Sequence, residues 1–571
     1  MLHAQTRVRL FPRALILAIV LCLGAWLAPG ARASHSQVSI AQEDLPLWGY
    51  NPTPTFQQLR ALGVEQLRFL VRWYTVAPNP GSYRKPNFND GDPGAKAYNW
   101  SDVDSVVTTA ARYGITVDLD IAGGAPNWAL GPGAKSVPSS SQGHNVYRPS
   151  ARDLGQFFKA AALRYSGSFD PALRKQVAHD PNDLPRVSFW SVWNEPDYGP
   201  SLAPQGLPGH LNVEYAPNMY RGLVDQAYAA LAHTGHGHDT FLFGELAPRG
   251  RPTWGVFSGM KPLIFMRALY CVDSRYRPLR GTAAALRGCP TTTSGSRRFR
   301  SQHPGLFNAT GLADHPYMRW YSPNREWSPD PYYHTSTADY SSLGDIGQLE
   351  RSVDRLLRVY GSGRHLPVYD TEFGYITDPP HRHNDYPWVS PTTAAYYLNW
   401  AEYIHWRDPR ISSYDQYLLQ DPLPALKSND YGGFASGLIT YGGQKKPTYA
   451  AYRLALFLPT TTTRRGRSLE VWGCIRPART ALLEGLGPQT ADIQVGSGSN
   501  PPNAAFKTVA TATLRSATSC YFDTHVKFPG AGTETVRLVW HYPMTDPSGY
   551  FDPLYPLGAA AYSRHVEIKL K

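Results

Sequence analysis

A chain of 571 residues with 42% hydrophobic and 13% aromatic residues is too long for one ordinary domain and too apolar for a disordered one. It carries 56 Lys and Arg against 44 Asp and Glu, a formal charge of +12. The basic residues are scattered, with only short clusters such as Arg297-Arg298 and Arg464-Arg465, which fits a solvated basic surface and excludes a nucleic-acid-binding face.

The chain opens with Arg7, Arg9 and Arg13, then an apolar run from 14 to 27, then Pro29-Gly30 and the small-x-small triplet Ala31-Arg32-Ala33. That order reads as a secretory signal peptide over 1–33 and predicts a secreted chain that begins near Ser34. The run is short against the ~20 residues of a membrane span. No later segment is apolar enough to cross a bilayer, so no membrane contact is expected after cleavage. Cleavage removes four arginines and no acid, which takes the formal charge from +12 to +8.

From about residue 37 to 456, short β-rich runs alternate with helical patterns, the signature of a parallel sheet with crossover helices. Eight strands are predicted, at 37–41, 66–71, 116–121, 188–193, 241–244, 311–315, 368–371 and 412–417. Helix punctuation falls between them. Thr53-Pro54 opens the first helix and Gly63 closes it. Ser101-x-x-Asp104 and Ser150-x-x-Asp153 have the form of capping boxes. Ser390-Pro391 offers an N-cap with proline at the first helical position, and 448–457 is expected to be the eighth helix. Eight such units imply an α/β fold, a (β/α)₈ TIM barrel over 34–460. Long irregular stretches follow the third, fourth, sixth and seventh strands, on the face where such barrels carry their sites. The segment 271–302 falls outside that pattern and reads as a disulfide-pinned excursion.

Beyond a linker at 460–466 the pattern changes to short β-rich runs parted by Gly, Pro, Ser and Asn, which predicts a small all-β sandwich over 461–571. Four cysteines remain after cleavage, Cys271, Cys289, Cys474 and Cys520. They allow three connectivities, and the local pairs Cys271–Cys289 and Cys474–Cys520 each stay inside one predicted domain. Disulfides suit an oxidising compartment.

Two carboxylates stand out as candidates for chemistry. Glu195 ends the apolar fourth strand in Trp193-Asn194-Glu195-Pro196, where proline stops sheet pairing. Glu372 ends the seventh strand in Asp370-Thr371-Glu372-Phe373-Gly374. Strands four and seven lie on opposite sides of an eight-stranded ring, so the two carboxylates can face each other across its mouth. Hydrolysis of a glycosidic bond needs such a pair.

With these residues in place the chain resembles the large clan of barrel glycoside hydrolases, clan A, that includes families 5 and 39. The resemblance covers roughly 64–457. It implies that Asn-Glu-Pro at the end of strand four carries the acid/base, Glu195, and that the Glu ending strand seven, Glu372, is the nucleophile. Leu67-Arg68-Phe69-Leu70-Val71-Arg72-Trp73 is similar to the clan's strand-two segment, whose arginine, here Arg68, supports the nucleophile. Asp314-His315-Pro316-Tyr317 is similar to the strand-six segment, where His315 and Tyr317 would line the site. Gly123-Gly124-Ala125-Pro126-Asn127-Trp128 resembles the strand-three segment. Asn194 would meet a sugar 2-OH, and Trp128, Trp193, Trp320 and Trp327 would stack on sugar rings. The clan's tryptophan at the end of strand eight is absent from Ser413-Tyr414-Asp415-Gln416-Tyr417, so Tyr417 or Gln416 stands in.

The expected partner is therefore a carbohydrate, with no cofactor, no metal and no nucleic acid. Glu245, ending the fifth strand, is the nearest rival carboxylate. Asp118 and Asp120 are expected to make buried hydrogen bonds inside the barrel. His381-Arg382-His383 with Asp385 has metal-ligand residue types without a matching motif and is set aside. A carbohydrate-binding or envelope-attached barrel without activity, and a transglycosylase on the same residues, are the competing functions. The long loops after strands three, four and six point to a closed pocket or narrow cleft.

Overall fold

The computed structural model describes residues 34–571 except 35, 139–143, 178–179, 252–253, 327–328, 331–333, 381–385, 424–433 and 545–556. The signal-like segment 1–33, Trp327 and the 381–385 histidine cluster lie outside the described residues.

All eight expected strands are present. They are β1 (Val38–Gln42), β2 (Gln66–Arg72), β3 (Thr116–Ala122), β4 (Phe189–Val192), β5 (Thr240–Leu246), β6 (Gly311–Asp314), β7 (Val368–Asp370) and β8 (Ile411–Tyr417). They close in the order β1-β8-β7-β6-β5-β4-β3-β2, and every neighbouring pair is parallel. Helices α1 (Thr53–Leu62), α2 (Ser101–Arg112), α3 (Ala151–Arg164), α4 (Ala216–Ala232), α5 (Pro262–Leu269), α6 (Ile346–Val359), α7 (Pro391–Arg407) and α8 (Pro447–Arg453) follow the strands. No helix among the described residues is long and apolar enough to cross a membrane.

A side-chain cap opens two of the eight barrel helices, α3 and α7. The Ser150 hydroxyl accepts from the Asp153 amide at 3.3 Å, and Ser390 accepts from the Thr393 amide at 3.1 Å. Ser101 does not cap its helix. It is already helical, the preceding Asn99 Oδ1 takes its amide and hydroxyl, and Asp104 is drawn to Arg164 at 2.5 Å. Residues 271–302 hold the Cys271–Cys289 bridge and two short helices, Gly281–Ala285 and Thr293–Gln302, laid over buried Arg221. Arg221 donates to the Leu269 carbonyl at 3.0 Å and the Gly288 carbonyl at 2.9 Å.

The expected eighth helix is shorter than its apolar pattern. It ends at Arg453, and Leu454–Phe457 is a strand, β9, that pairs antiparallel with β11 (Ser468–Ile475). The expected linker also contributes a strand, since β10 (Thr462–Thr463) pairs with the C-terminal Val566–Leu570. Two sheets follow. One holds β9, β11 and Tyr521–Lys527. The other holds β10, Val566–Leu570, Gly532–His541, Gln489–Ser497 and Lys507–Leu514, with Ala560–Tyr562 at its side. Val471, Ile475 and Val526 of the first sheet share one apolar core with Ile493, Leu538, Trp540 and Ile568 of the second, so the pair is a sandwich. The Cys474–Cys520 bridge is formed as well.

The sandwich docks under the barrel, at the end where strands begin. Buried Arg476 donates to Ser39 Oγ at 2.9 Å, to Glu402 of α7 and to the Tyr452 carbonyl. The Tyr521 hydroxyl reaches Gln37 at 2.9 Å and Glu402 at 3.2 Å. Gly63 closes α1 at φ 79°, and a side chain there would collide with the Arg476 carbonyl.

Candidate active site

Strand alternation points Arg68 of β2, Asp118 and Asp120 of β3 and Ser191 of β4 into the barrel. Register sets Gln42 beside Arg68 on one side and beside Tyr417 on the other. These inward polar groups cannot meet water, so each must find a partner inside. Arg68 is fully buried and its guanidinium fork gathers five of them. Nη1 donates to Glu372 Oε1 at 2.6 Å and to Gln42 Oε1. Nη2 donates to Asp120 at 2.7 Å, Glu245 at 2.8 Å and Asn194 at 2.9 Å. Four carboxylates, Glu245, Asp120, Glu372 and Asp118, outweigh the cost of burying this cation and hold it well above its ordinary value.

The backbone bends where the strands reach the mouth. Trp193, Glu195 and Glu245 all adopt positive φ, at 65°, 43° and 48°. Non-glycine residues in this region carry strain of about 1–3 kcal/mol each, which persists only where surrounding contacts hold it. One such contact is the Glu195 amide on the Glu245 carbonyl at 2.9 Å.

Glu195 and Glu372 converge. Their nearest carboxylate oxygens, with a His315 ring nitrogen, all lie within 4.8 Å of one another. Their surroundings differ. Glu372 is held on both oxygens, by Arg68 on Oε1 and by the Tyr317 hydroxyl on Oε2 at 3.0 Å, and its side chain is 9% exposed. Among the described residues the Glu195 carboxylate meets only the His315 ring, Nδ1 to Oε1 at 3.1 Å, and it is 20% exposed. His315 is fully buried and touches three carboxylates, with Nε2 at 2.9 Å from Glu245 and Nδ1 at 3.5 Å from Glu372. Burial works against its charge, but Glu372, Glu195 and Glu245 prevail and keep it protonated well above the usual imidazole range. Burial raises the Glu372 carboxyl from its ordinary value, and His315 and Arg68 pull against that rise.

Glu245, the rival carboxylate, is fully enclosed. Burial is overcome by Arg68 and His315, which pull it down to about 2. An anion with no access to the mouth cannot attack a substrate. Asp120 and Asp118 fill the roles expected of them, on Arg68 and on the Ser191 hydroxyl at 3.1 Å. Tyr417 is half-buried with its ring edge-on to Tyr317 at 6.2 Å and to Phe434 at 5.2 Å. Gln416 instead donates to the Leu418 and Ser436 carbonyls, which leaves Tyr417 as the strand-eight side chain at the site.

Arg68, Asn194, Glu195, His315, Tyr317, Glu372 and Tyr417 therefore come together. Among the described contacts, Trp193 and Trp128 do not join them. Trp193 is fully buried, its indole N–H on the Ser201 carbonyl at 2.9 Å, and offers no face to a ligand. Trp128 bonds the Pro78 carbonyl at 2.9 Å and packs on Trp73, Phe88 and Lys85, touching none of the site residues among the described contacts. Trp320 stacks on Tyr386 at 5.5 Å, with the Arg319 guanidinium 4.2 Å from its ring centre. Gln42 and Thr371 escaped the sequence reading. The signals were there, a polar residue closing the apolar β1 and a hydroxyl next to Glu372, but neither has a motif.

No family model matches the chain, and no curated protein matches it. Solved structures similar to it include an endo-beta-1,4-mannanase from Thermotoga petrophila, 10% identical with a TM-score of 0.37 over 95% of this chain and 98% of that one. A family 51 alpha-L-arabinofuranosidase from Bifidobacterium longum is 11% identical with a TM-score of 0.42, over 88% and 98%. An endo-1,4-beta-xylanase from Penicillium canescens is 12% identical with a TM-score of 0.38, over 72% and 92%. These superpositions are loose, and the chemistry below stands on this chain's own side chains.

Proposed function

We propose that the chain is a secreted retaining glycoside hydrolase that cleaves a plant or microbial polysaccharide or oligosaccharide by double displacement. The observation that carries this reading is the close, unequal pair Glu195 and Glu372, with oxygens within 4.8 Å. Retaining enzymes place their carboxyl groups about 5–5.5 Å apart, and inverting ones about 6.5–9.5 Å apart to admit a water. The short approach of the two groups supports the retaining route over the inverting one.

The environments assign the roles. Glu372 is immobilised by Arg68 and Tyr317, donors that favour its ionised form, and acts as the nucleophile. Its oxygen bonds the anomeric carbon as the bond to the leaving oxygen breaks, and Glu195 gives that oxygen its proton. Glu195, the more exposed of the two, then takes a proton from water. The water oxygen bonds the anomeric carbon and the bond to Glu372 breaks, with its electron pair returning to the carboxylate. Arg68 and Tyr317 receive that returning charge. The Asn194 carbonyl oxygen is turned to Arg68, so its amide N–H₂ is the end left for a sugar hydroxyl. Two carboxyl groups and water complete the cycle. Export is supported by the signal-like 1–33 and by the two disulfides.

The test is sugar release from a panel of aryl glycosides and cell-wall polysaccharides, with Glu372→Gln alongside. Release that drops by several orders of magnitude in the variant is expected. Equal release from both proteins overturns the assignment, and polysaccharide binding without release favours a binding protein.

A further inference from the structure

Glu245 has no step in the cycle above, yet it is among the most heavily bonded side chains of the barrel. Three donors converge on one oxygen, Oε2: Arg68 Nη2 at 2.8 Å, His315 Nε2 at 2.9 Å and the Thr371 hydroxyl at 2.8 Å. Each donor leads to a catalytic carboxylate. Arg68 holds Glu372 through its other nitrogen. His315 holds Glu195 through its other nitrogen, with Glu372 at 3.5 Å. Thr371 is the residue before Glu372 in the chain. The Glu245 backbone carbonyl also receives the amide of Glu195. A single enclosed side chain therefore links both halves of the pair, from β5, which contributes neither.

The charge balance around it is specific. The groups facing Glu245 or His315 include Arg68 on β2, Asp118 and Asp120 on β3, Glu195 after β4, Tyr220 on α4, Asp314 at the end of β6, Tyr317 beyond it, Asp370 on β7 and Glu372 after it. Burial pushes Asp118, Asp120, Asp314 and Asp370 up from the ordinary carboxyl value. Arg68 and His315 both pair with Glu245 through one oxygen, at 2.8 and 2.9 Å, and hold its carboxyl down at about 2. Glu245 is therefore an enclosed anion shared by both cations, and it does not compete for substrate.

We propose that Glu245 is the positioning residue of this site, a buried anion that keeps Arg68 and His315 aimed and charged and through them sets Glu372 and Glu195. The inference rests on the glycosidase reading for its effect on turnover, but the state of His315 can be read without any substrate.

The experiment pairs Glu245→Gln with two measurements. The first is NMR of the His315 ring in protein carrying labelled histidine, assigned by a His315→Asn variant. Wild-type His315 is expected to stay doubly protonated across the neutral range. In Glu245→Gln, which keeps the shape and loses the charge, it should titrate there. The second is the pH profile of kcat/KM on the glycoside found active. Losing the anion and the His315 charge changes the field at the reacting pair, so the profile should shift, with kcat down at least tenfold. A His315 that titrates normally in wild type overturns the proposal even if the variant fails to fold. An unmoved profile in a folded, active Glu245→Gln overturns it too. The hydrolase reading falls separately, if no glycoside is turned over while His315 behaves as expected.

Discussion

Arg68→Lys is the substitution with the most to say about how the site is held. The charge is kept and the fork is lost. One ammonium cannot serve both the Nη1 side, where Glu372 lies at 2.6 Å, and the Nη2 side, where Asp120, Glu245 and Asn194 lie at 2.7, 2.8 and 2.9 Å. Three of the acceptors sit on the Nη2 side, so the lysine settles there and Glu372 loses its charged donor. A hydrogen bond to a charged group is worth about 1.5–3 kcal/mol. The contact is felt as charge returns to Glu372 in deglycosylation, so that step slows about 10- to 150-fold, read as a fall in kcat on an aryl glycoside whose activated leaving group makes it rate-limiting. The assay is steady-state hydrolysis of an aryl glycoside, with near-UV circular dichroism to confirm native packing. Activity within threefold of wild type in a folded Arg68→Lys would refute the reasoning, since the second arm of the fork would then be dispensable.

Other outcomes follow from single contacts. Tyr317→Phe removes the hydroxyl at 3.0 Å from Glu372 Oε2, and kcat should fall about tenfold or more with the fold unchanged. Asp118 is pushed up to about 8 by burial and by Glu245. The unfolded chain releases that proton near the ordinary ~3.9, so the stability it contributes is complete at low pH and is lost as pH rises toward about 8, at ~1.4 kcal/mol per unit. Asp118→Asn should flatten the pH dependence of the urea midpoint over that window, and an unchanged slope would contradict the assignment. Gly63→Ala forces a side chain into a left-handed residue pressed on the Arg476 carbonyl, and should lower the thermal midpoint measured by calorimetry.

The barrel was legible because its strands are apolar runs of the right length with helical patterns between them, and length separates the two periods well. The same logic failed at 454–457. Leu454-Ala455-Leu456-Phe457 is apolar at either period, and what makes it a strand is a partner, Ser468–Ile475, that local sequence does not contain. Ser101 shows a similar limit. A Ser-x-x-Asp pattern states that capping is possible, and Asn99 and Arg164 decided the competition for its groups. At the site, the carboxylates were visible because proline and glycine mark the strand ends beside them. Trp193 was misjudged, since a strand-end aromatic is equally consistent with a sugar platform and with core, and the turn at φ 65° buries it. Glu245 looked like a weaker copy of Glu372. Only the convergence of Arg68, His315 and Thr371 on its single oxygen separates a supporting anion from a reacting one.

The central claim is that Glu372 bonds the sugar. The most direct test is mass spectrometry of the protein after incubation with 2-deoxy-2-fluoro glycosides bearing good leaving groups, which accumulate the glycosyl-enzyme. The account predicts a stable adduct of one sugar, mapped to the peptide containing Glu372 and absent from Glu372→Gln. An adduct mapped to another carboxylate, or turnover of the parent glycoside with inverted anomeric configuration, would contradict it.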